Sequence, residues 1–312
     1  MPSKTSVQGI LQPKGFPPLP EDWTYEWETY PSVDGLAQIF SATFEKKNPT
    51  EGTGHRALVI AHGIGEHGGR YLHFPHYLKD SIDVVVAPDH RGHGRSEGLR
   101  GHVSRFTDYE NDLALAIQKL DEKLMKRYGK SEIHVLGHSM GSLILLGMMY
   151  RHPGLPIKSA TASSPLISLR MPVPVVKKFA AMAISRVWGN LQMETEFDVS
   201  HLSHDREVQE TYVKDRLVHP KITPKLFLGM QASMAEMAKK DQPFSYPLLA
   251  IVPMDDPIVN PDAGLNFYRS LKISDKQLKT YPGFFHESFN EIGKEQVFED
   301  LEEWIKQHSL AT

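Results

Sequence analysis

Cysteine is absent from all 312 residues, which excludes a disulfide scaffold, a thiolate zinc site and a cysteine nucleophile at once. Surplus charge is missing too. Lys and Arg number 35 against 38 Asp and Glu, a formal net charge of −3, so there is no basic excess to attract a phosphate backbone. Nucleic acid is therefore not an expected partner. Long hydrophobic runs are also lacking: the longest, Leu143–Tyr150, contains a glycine and falls far short of the ~20 residues that span a bilayer. The opening MPSKTSVQGILQPKG has no apolar stretch of the signal-peptide kind. The expected location is cytoplasmic, with at most a peripheral contact to a membrane surface.

Hydrophobic residues make up 40% of the chain and charged residues 23%, a globular balance. The length suits one large α/β domain or such a domain with an insertion, and a core of that size needs no cross-links. The first twenty residues hold five of the 22 prolines and read as an extended arm. WTYEWETY and LAQIFSATFE follow as alternating, aromatic-rich runs on either side of Asp34-Gly35, which predicts an antiparallel hairpin. From residue 57 the pattern changes. ALVIA (57–61), DVVVA (83–87), EIHVLG (132–137), KSATASS (158–164) and LLAIVP (248–253) read as buried parallel strands. Between them, 107–127 carries Leu113, Ile117, Leu120 and Leu124 on one helical face, with Thr107 and Glu110 in capping-box spacing. A last amphipathic helix over 294–308 points Val297, Leu301, Trp304 and Ile305 inward. Strand–helix alternation of this kind implies an α/β fold, a mostly parallel sheet flanked by helices.

One region breaks the rhythm. Residues 166–243 hold three helical patterns and no clear strand, which divides the chain into a core (1–165 and 244–312) and a helical cap inserted between two core strands. Met182, Met193, Met230, Met234 and Met237 fall within it. Methionines are flexible and polarisable, so they fill irregular cores or line adaptable apolar sites. The second reading makes Met182 and Met234 candidate substrate contacts.

Gly137-His138-Ser139-Met140-Gly141 has the form Gly-x-Ser-x-Gly, and so does Gly94-Arg95-Ser96-Glu97-Gly98. A nucleophilic serine of this type sits on a strained strand-to-helix turn whose flanking residues must be small. Ser139 follows the strand EIHVLG and precedes the helix-compatible SLILLGMMYRH; Ser96 follows a charged loop and no apolar helix comes after it. Ser139 is the candidate nucleophile, and the Met140 amide at the start of the helix is a candidate oxyanion donor. His62-Gly63-Ile64-Gly65 directly follows the first core strand, where the Ile64 amide can supply the second donor. Asp255 and Asp256 follow the strand LLAIVP, and His286 stands further on in YPGFFH, so acid and base come after the serine in the order Ser…Asp…His.

HGIGEHGGRY (62–71), PDHRGHGRSEG (88–98), GHSMGS (137–142) and DDPIV followed by FFHE resemble, in order and separation, the monoacylglycerol lipase and lysophospholipase branch of the α/β-hydrolases. The likeness runs over roughly residues 30 to 308 and is weakest across the insertion. It implies an α/β-hydrolase fold with a catalytic triad of Ser139, Asp256 and His286, and an oxyanion hole from Ile64 and Met140. Asp256 is preferred to Asp255 because the resembled pattern is Asp-x-Ile-Val, which Asp256-Pro257-Ile258-Val259 satisfies. Two positions depart from the pattern: Pro253 and Ser142 stand where glycines are usual. Neither is a catalytic group. The resemblance further implies lipid ester substrates bound under the 166–243 cap, transient membrane-surface contact through that cap, and no cofactor. Asp89, His90, Arg91 and His93 could be read as a metal cluster, with Asp89, His90 and His93 of ligating types, but no second carboxylate–histidine cluster at ligand spacing accompanies them, so no metal is expected; Asp89 and Arg91 are expected to brace loops. A short-chain carboxylesterase or small-peptide serine hydrolase is the enzymatic rival, and a non-catalytic binding module, which predicts a damaged triad, is the rival from another class.

Overall fold

The computed structural model describes residues 9–49, 55–171, 175–195, 197–239 and 244–309. The strands are β1 (Trp23–Pro31), β2 (Gln38–Lys46), β3 (Arg56–Ala61), β4 (Val84–Pro88), β5 (Glu132–His138), β6 (Ile157–Ser163), β7 (Met193–Glu194), β8 (Lys221–Ile222), β9 (Leu248–Pro253) and β10 (Lys276–Tyr281). The helices are α1 (Phe74–Leu78), α2 (Thr107–Tyr128), α3 (Met140–Arg151), α4 (Val175–Trp188), α5 (Arg206–Lys214), α6 (Pro224–Met237), α7 (Pro261–Ser270) and α8 (Lys294–His308). Eight strands form one sheet in the order β1-β2-β4-β3-β5-β6-β9-β10. β1 and β2 pair antiparallel, as does β2 with β4, and the rest of the ladder is parallel.

The period-2 geometry of a strand explains why the central runs are apolar throughout. Along β3, Ala57, Val59 and Ala61 face a core built with α2 and α3, whereas Leu58 and Ile60 face a second core built with α1 and α8. The same alternation divides Val84 and Val86 from Val85 and Ala87 on β4. Each of these two strands thus feeds two helical layers at once, and its interior side chains are apolar on both faces. α3 is buried along nearly its whole length, which its LILLGMM sequence permits. On α8 the inward residues are the expected Val297, Leu301, Trp304 and Ile305, joined by Phe298.

The hairpin forms around Asp34-Gly35, where Gly35 has φ 70° and the Asp34 carboxylate accepts from Ser32 Oγ (2.8 Å) and the Leu36 amide (3.1 Å). Arg91 reaches from the 88–98 loop to Asp34 (2.7 Å) and to Asp112 of α2 (2.7 and 2.9 Å). Asp89 accepts the amides of Gly68 and Arg95, each at 2.7 Å. Both residues brace loops, as expected from the sequence.

Two local expectations need correction. The capping box on α2 does not form: Thr107 is already helical, Phe106 occupies the cap position, and no side chain caps the helix there. Glu110 instead turns inward to Arg151 of α3 (2.9 Å), and burial pushes its carboxyl up to about 7 against that pairing. β10 carried no strand expectation of its own, because KQLKTY is polar and only partly buried at the sheet edge.

The 166–243 segment contains α4, α5, α6 and the short β7–β8 pair, which its sequence did not foreshadow. Arg151 also bonds Glu236 on α6 (2.5 Å), tying the segment to the core.

Candidate active site

The strand β5 runs straight into α3 through Ser139, whose backbone has φ 53° and ψ −119°. Among the described residues only Ser139 and Ser164 (φ 47°) hold a positive φ without being glycine. Such a conformation costs of order 1–3 kcal/mol and persists where its surroundings over-determine it. Those surroundings are plain. The Ser139 amide donates to the Ser163 carbonyl (3.0 Å), and its own carbonyl accepts the amides of Ser142 (2.9 Å) and Leu143 (3.2 Å). Ser142, one of the two departures from the family pattern, gives its hydroxyl to the same carbonyl (2.6 Å) and accepts the Leu166 amide (3.0 Å). Gly137 and Gly141 are required sterically. A Cβ at Gly137 would lie 2.4 Å from the Gly141 carbonyl oxygen, and one at Gly141 would lie 2.0 Å from that of Ala61.

His286 and Asp256 meet from two different loops, β10–α8 and β9–α7, with His286 Nδ1 2.7 Å from Asp256 Oδ2. The other carboxylate oxygen accepts the amides of Ile258 (2.7 Å) and Val259 (3.0 Å), which orient the carboxylate. Both side chains and Ser139 are buried. Burial opposes a charge on His286, but the Asp256 carboxylate, helped by Glu287 and Glu66, outweighs it and raises the imidazole above its ordinary value. Burial likewise opposes ionisation of Asp256, while His286 and the two amides hold its carboxyl below the usual range. His138, the residue before Ser139, has its ring centroid 4.9 Å from that of His286, so the imidazole lies beside the elbow. Burial and the neighbouring His286 push His138 down to about 3, leaving it neutral. Asp255 points elsewhere, accepting the Gly283 amide (2.9 Å).

The turn after β3 is held from both ends. His62 Nε2 accepts the His90 amide (2.9 Å), so its proton is on Nδ1, which donates to the Gly63 carbonyl (2.7 Å). Burial, with His90 and His93 nearby, keeps His62 uncharged. The Gly63 amide donates to Glu66 Oε1 (2.6 Å). These bonds fix the peptide unit whose N–H belongs to Ile64, and a Cβ at Gly63 would be 3.5 Å from that of Ser139. Met140 is the first residue of α3 and fully buried.

Glu66, Arg70 and Glu287 form a buried ion cluster to which no role attached in the sequence, although all three lie inside the quoted motifs. Arg70 pairs with Glu66 (2.6 Å) and grips both oxygens of Glu287 (2.7 Å each). Burial alone would raise the Glu287 carboxyl, but Arg70 overrides it and holds it well below the usual carboxylate range. Glu66 thus serves the Ile64 turn while Glu287 directly follows His286. The guanidinium also lies 4.9 Å from the Tyr212 ring centroid of α5, and the Glu287 amide donates to the Leu202 carbonyl (2.8 Å). Residues 66 and 287 are too far apart in sequence for spacing to pair them.

The two methionines expected at the substrate lie in unlike places. Met182 on α4 is 45% exposed, whereas Met234 on α6 is 5% exposed and belongs to the core cluster shared with α3. Ser96 of the second Gly-x-Ser-x-Gly is buried, donates to the Asp89 carbonyl (2.6 Å) and accepts the Phe40 amide (2.8 Å).

A mostly parallel sheet in this strand order, with a serine on a strained strand–helix elbow and a histidine–carboxylate pair from later loops, defines an α/β-hydrolase. The chain belongs to the serine aminopeptidase S33 family, whose model matches residues 53–293. It is 32% identical over 258 residues to a monoacylglycerol lipase of Mycolicibacterium smegmatis, covering 80% of this chain and 88% of that protein. It is 30% identical to the monoglyceride lipase of Mus musculus, over 83% of this chain and 85% of that one. Among solved structures it resembles the Paleococcus ferrophilus monoacylglycerol lipase with a TM-score of 0.74 and 28% identity, covering 87% of this chain and 99% of that chain.

Proposed function

We propose that the chain is a serine carboxylic-ester hydrolase acting on single-chain lipids, monoacylglycerols or lysophospholipids. The observation that carries this is the strained Ser139 elbow beside a buried, hydrogen-bonded His286–Asp256 pair. Ser139 Oγ attacks the ester carbonyl as His286 Nε2 takes its proton. Asp256 accepts from His286 Nδ1, fixes the tautomer and stabilises the imidazolium. The Ile64 and Met140 amides receive the developing oxyanion, the alcohol departs with the proton from His286, and water releases the acyl group. No cofactor enters the cycle.

The lipid substrate is inferred from the relatives, which bear lipase names, and from the 166–243 segment read as a cap over the site. Phe179 and Trp188 of α4 are each 65% exposed, and Met182 and Val187 are exposed on the same helix. Apolar side chains in solvent suit transient contact with a lipid surface. No helix among the described residues is long and apolar enough to cross a membrane, so the contact is peripheral on this reading.

The test is a panel of monoacylglycerols, lysophospholipids, acetyl esters and aminoacyl arylamides. Long-chain glycerol or phospho-glycerol esters are expected to turn over fastest; cleavage of the arylamides alone would replace the ester reading with a peptidase. A fluorophosphonate is expected to stop the activity, and a mercurial to leave it untouched, since the chain has no thiol. Strong mercurial inhibition would assign the measured activity to another protein. Met182→Glu is expected to lower kcat/KM for long acyl chains about tenfold more than for acetyl esters, given the ~1.5–3 kcal/mol attached to burying such a side chain. Met234→Glu buries a charge in the core and is expected to lower Tm and both activities alike. Equal losses for Met182→Glu on both substrates would remove α4 from the acyl path.

A further inference from the structure

We propose that Ser164 is a positioning residue that sets the base against the nucleophile. The reasoning rests on the assignment of Ser139 and His286 above. Ser163 and Ser164 are consecutive, at the end of β6 and just beyond it. The Ser163 carbonyl accepts the Ser139 amide (3.0 Å), and the Ser164 hydroxyl donates to the His286 carbonyl (2.6 Å). One dipeptide therefore holds the main chains of both residues between which the proton must pass. The Ser164 amide anchors the pair to the sheet through the Ile251 carbonyl of β9 (2.9 Å).

The backbone supports a functional reading. Ser164 is buried and has φ 47°, a region that favours glycine, yet a glycine could not make the bond to His286. The other non-glycine positive φ among the described residues is that of Ser139 itself. Asp256 fixes the His286 ring, but the loop bearing that ring is attached beside the elbow through Ser164. Without the hydroxyl the His286 main chain loses its tie beside the elbow, and the ring, still bonded to Asp256, shifts relative to Ser139 Oγ.

The experiment compares Ser164→Ala, Ser164→Gly and Ser81→Ala with wild type. Ser81 is a buried serine whose hydroxyl also caps a main-chain carbonyl, that of Leu78 (3.1 Å), remote from the triad. Ser164→Ala is expected to lower kcat roughly 10-fold to 100-fold with KM little changed, because small misplacements of reacting groups have effects of that size. Fluorophosphonate labelling should slow by the same factor, and the low-field proton resonance of His286 Nδ1 should persist, since Asp256 still holds it. Ser164→Gly relaxes the backbone and should be equally slow. Ser81→Ala should lose stability without loss of kcat. Wild-type kcat in Ser164→Gly, or a loss of Tm in Ser164→Ala with kcat intact, overturns the proposal. If Ser139→Ala still turns over substrate, the triad assignment fails first; if Ser139→Ala is inactive and Ser164→Ala is fully active, only the present inference fails.

Discussion

Ser139→Ala is expected to lower kcat by about six orders of magnitude, the scale found when a triad nucleophile is removed, and to leave the fold intact. The fold survives because the hydrogen bonds that hold the elbow among the described residues run through the Ser139 backbone. Alanine keeps the Cβ, the backbone amide stays on Ser163, and the carbonyl stays on Ser142 and Leu143. Since Cβ and strain are both retained, Tm should move little. Ser96→Ala is the paired control, because Ser96 occupies the other Gly-x-Ser-x-Gly. There the hydroxyl is structural, and its removal strands the Phe40 amide of β2, a buried donor. That variant should lose about 1–3 kcal/mol of stability while its folded fraction keeps near-normal turnover. The two serines thus separate activity from stability in opposite directions. An inactive Ser96→Ala beside an active Ser139→Ala, measured by titration with fluorophosphonate, would put the nucleophile on the wrong elbow.

Why these features were legible in the sequence, and others not, has a physical answer. A strand buried on both faces favours apolar residues at every position, so β3, β4 and β9 stand out as runs. β10 lies at the sheet edge, where polar residues carry no penalty, and its pattern disappears into the loop. Ser139 was legible because its turn demands glycines two residues away on both sides, an exclusion set by backbone contacts and visible in one dimension. Ser164 satisfies a similar demand with no glycine beside it, so nothing local marks its φ. The α2 capping box does not form because Glu110 is carried into the core beside Arg151, a tertiary placement no local spacing encodes. Glu66, Arg70 and Glu287 form one charge cluster from two ends of the chain. Their pairing belongs to the folded topology and has no local signature. Ser142, conspicuous only as a departure from the family pattern, joins the elbow carbonyl to the chain leaving β6.

Asp256→Asn is the second large expected effect, a fall of roughly 10⁴ in kcat, the loss reported for the same change in another serine triad. Asparagine is nearly isosteric, and its oxygen can keep the Ile258 and Val259 amides that now bond Oδ1. What then faces His286 Nδ1 at 2.7 Å is an NH₂ donor in place of an acceptor. The ring answers by moving its proton to Nε2, and Nε2 can no longer take the proton of Ser139. The pH profile must change as well. In the wild type, burial depresses the His286 imidazole and Asp256 more than offsets it, so the ring titrates above the ordinary 6.5. Only the neutral ring is a base, so kcat/KM should rise with pH through a midpoint above that value. Asp256→Asn removes the carboxylate and leaves burial as the largest influence, and the residual activity should therefore have its acidic midpoint below 6.5. Asp255→Asn tests the register. Asp255 is exposed and accepts the Gly283 amide through an oxygen that asparagine retains, so rate and midpoint should both stay within a factor of a few of wild type. A near-normal rate in Asp256→Asn with a collapsed one in Asp255→Asn would move the triad acid by one residue. A slow Asp256→Asn whose acidic midpoint stays above 6.5 would mean that the carboxylate positions the ring without setting its charge.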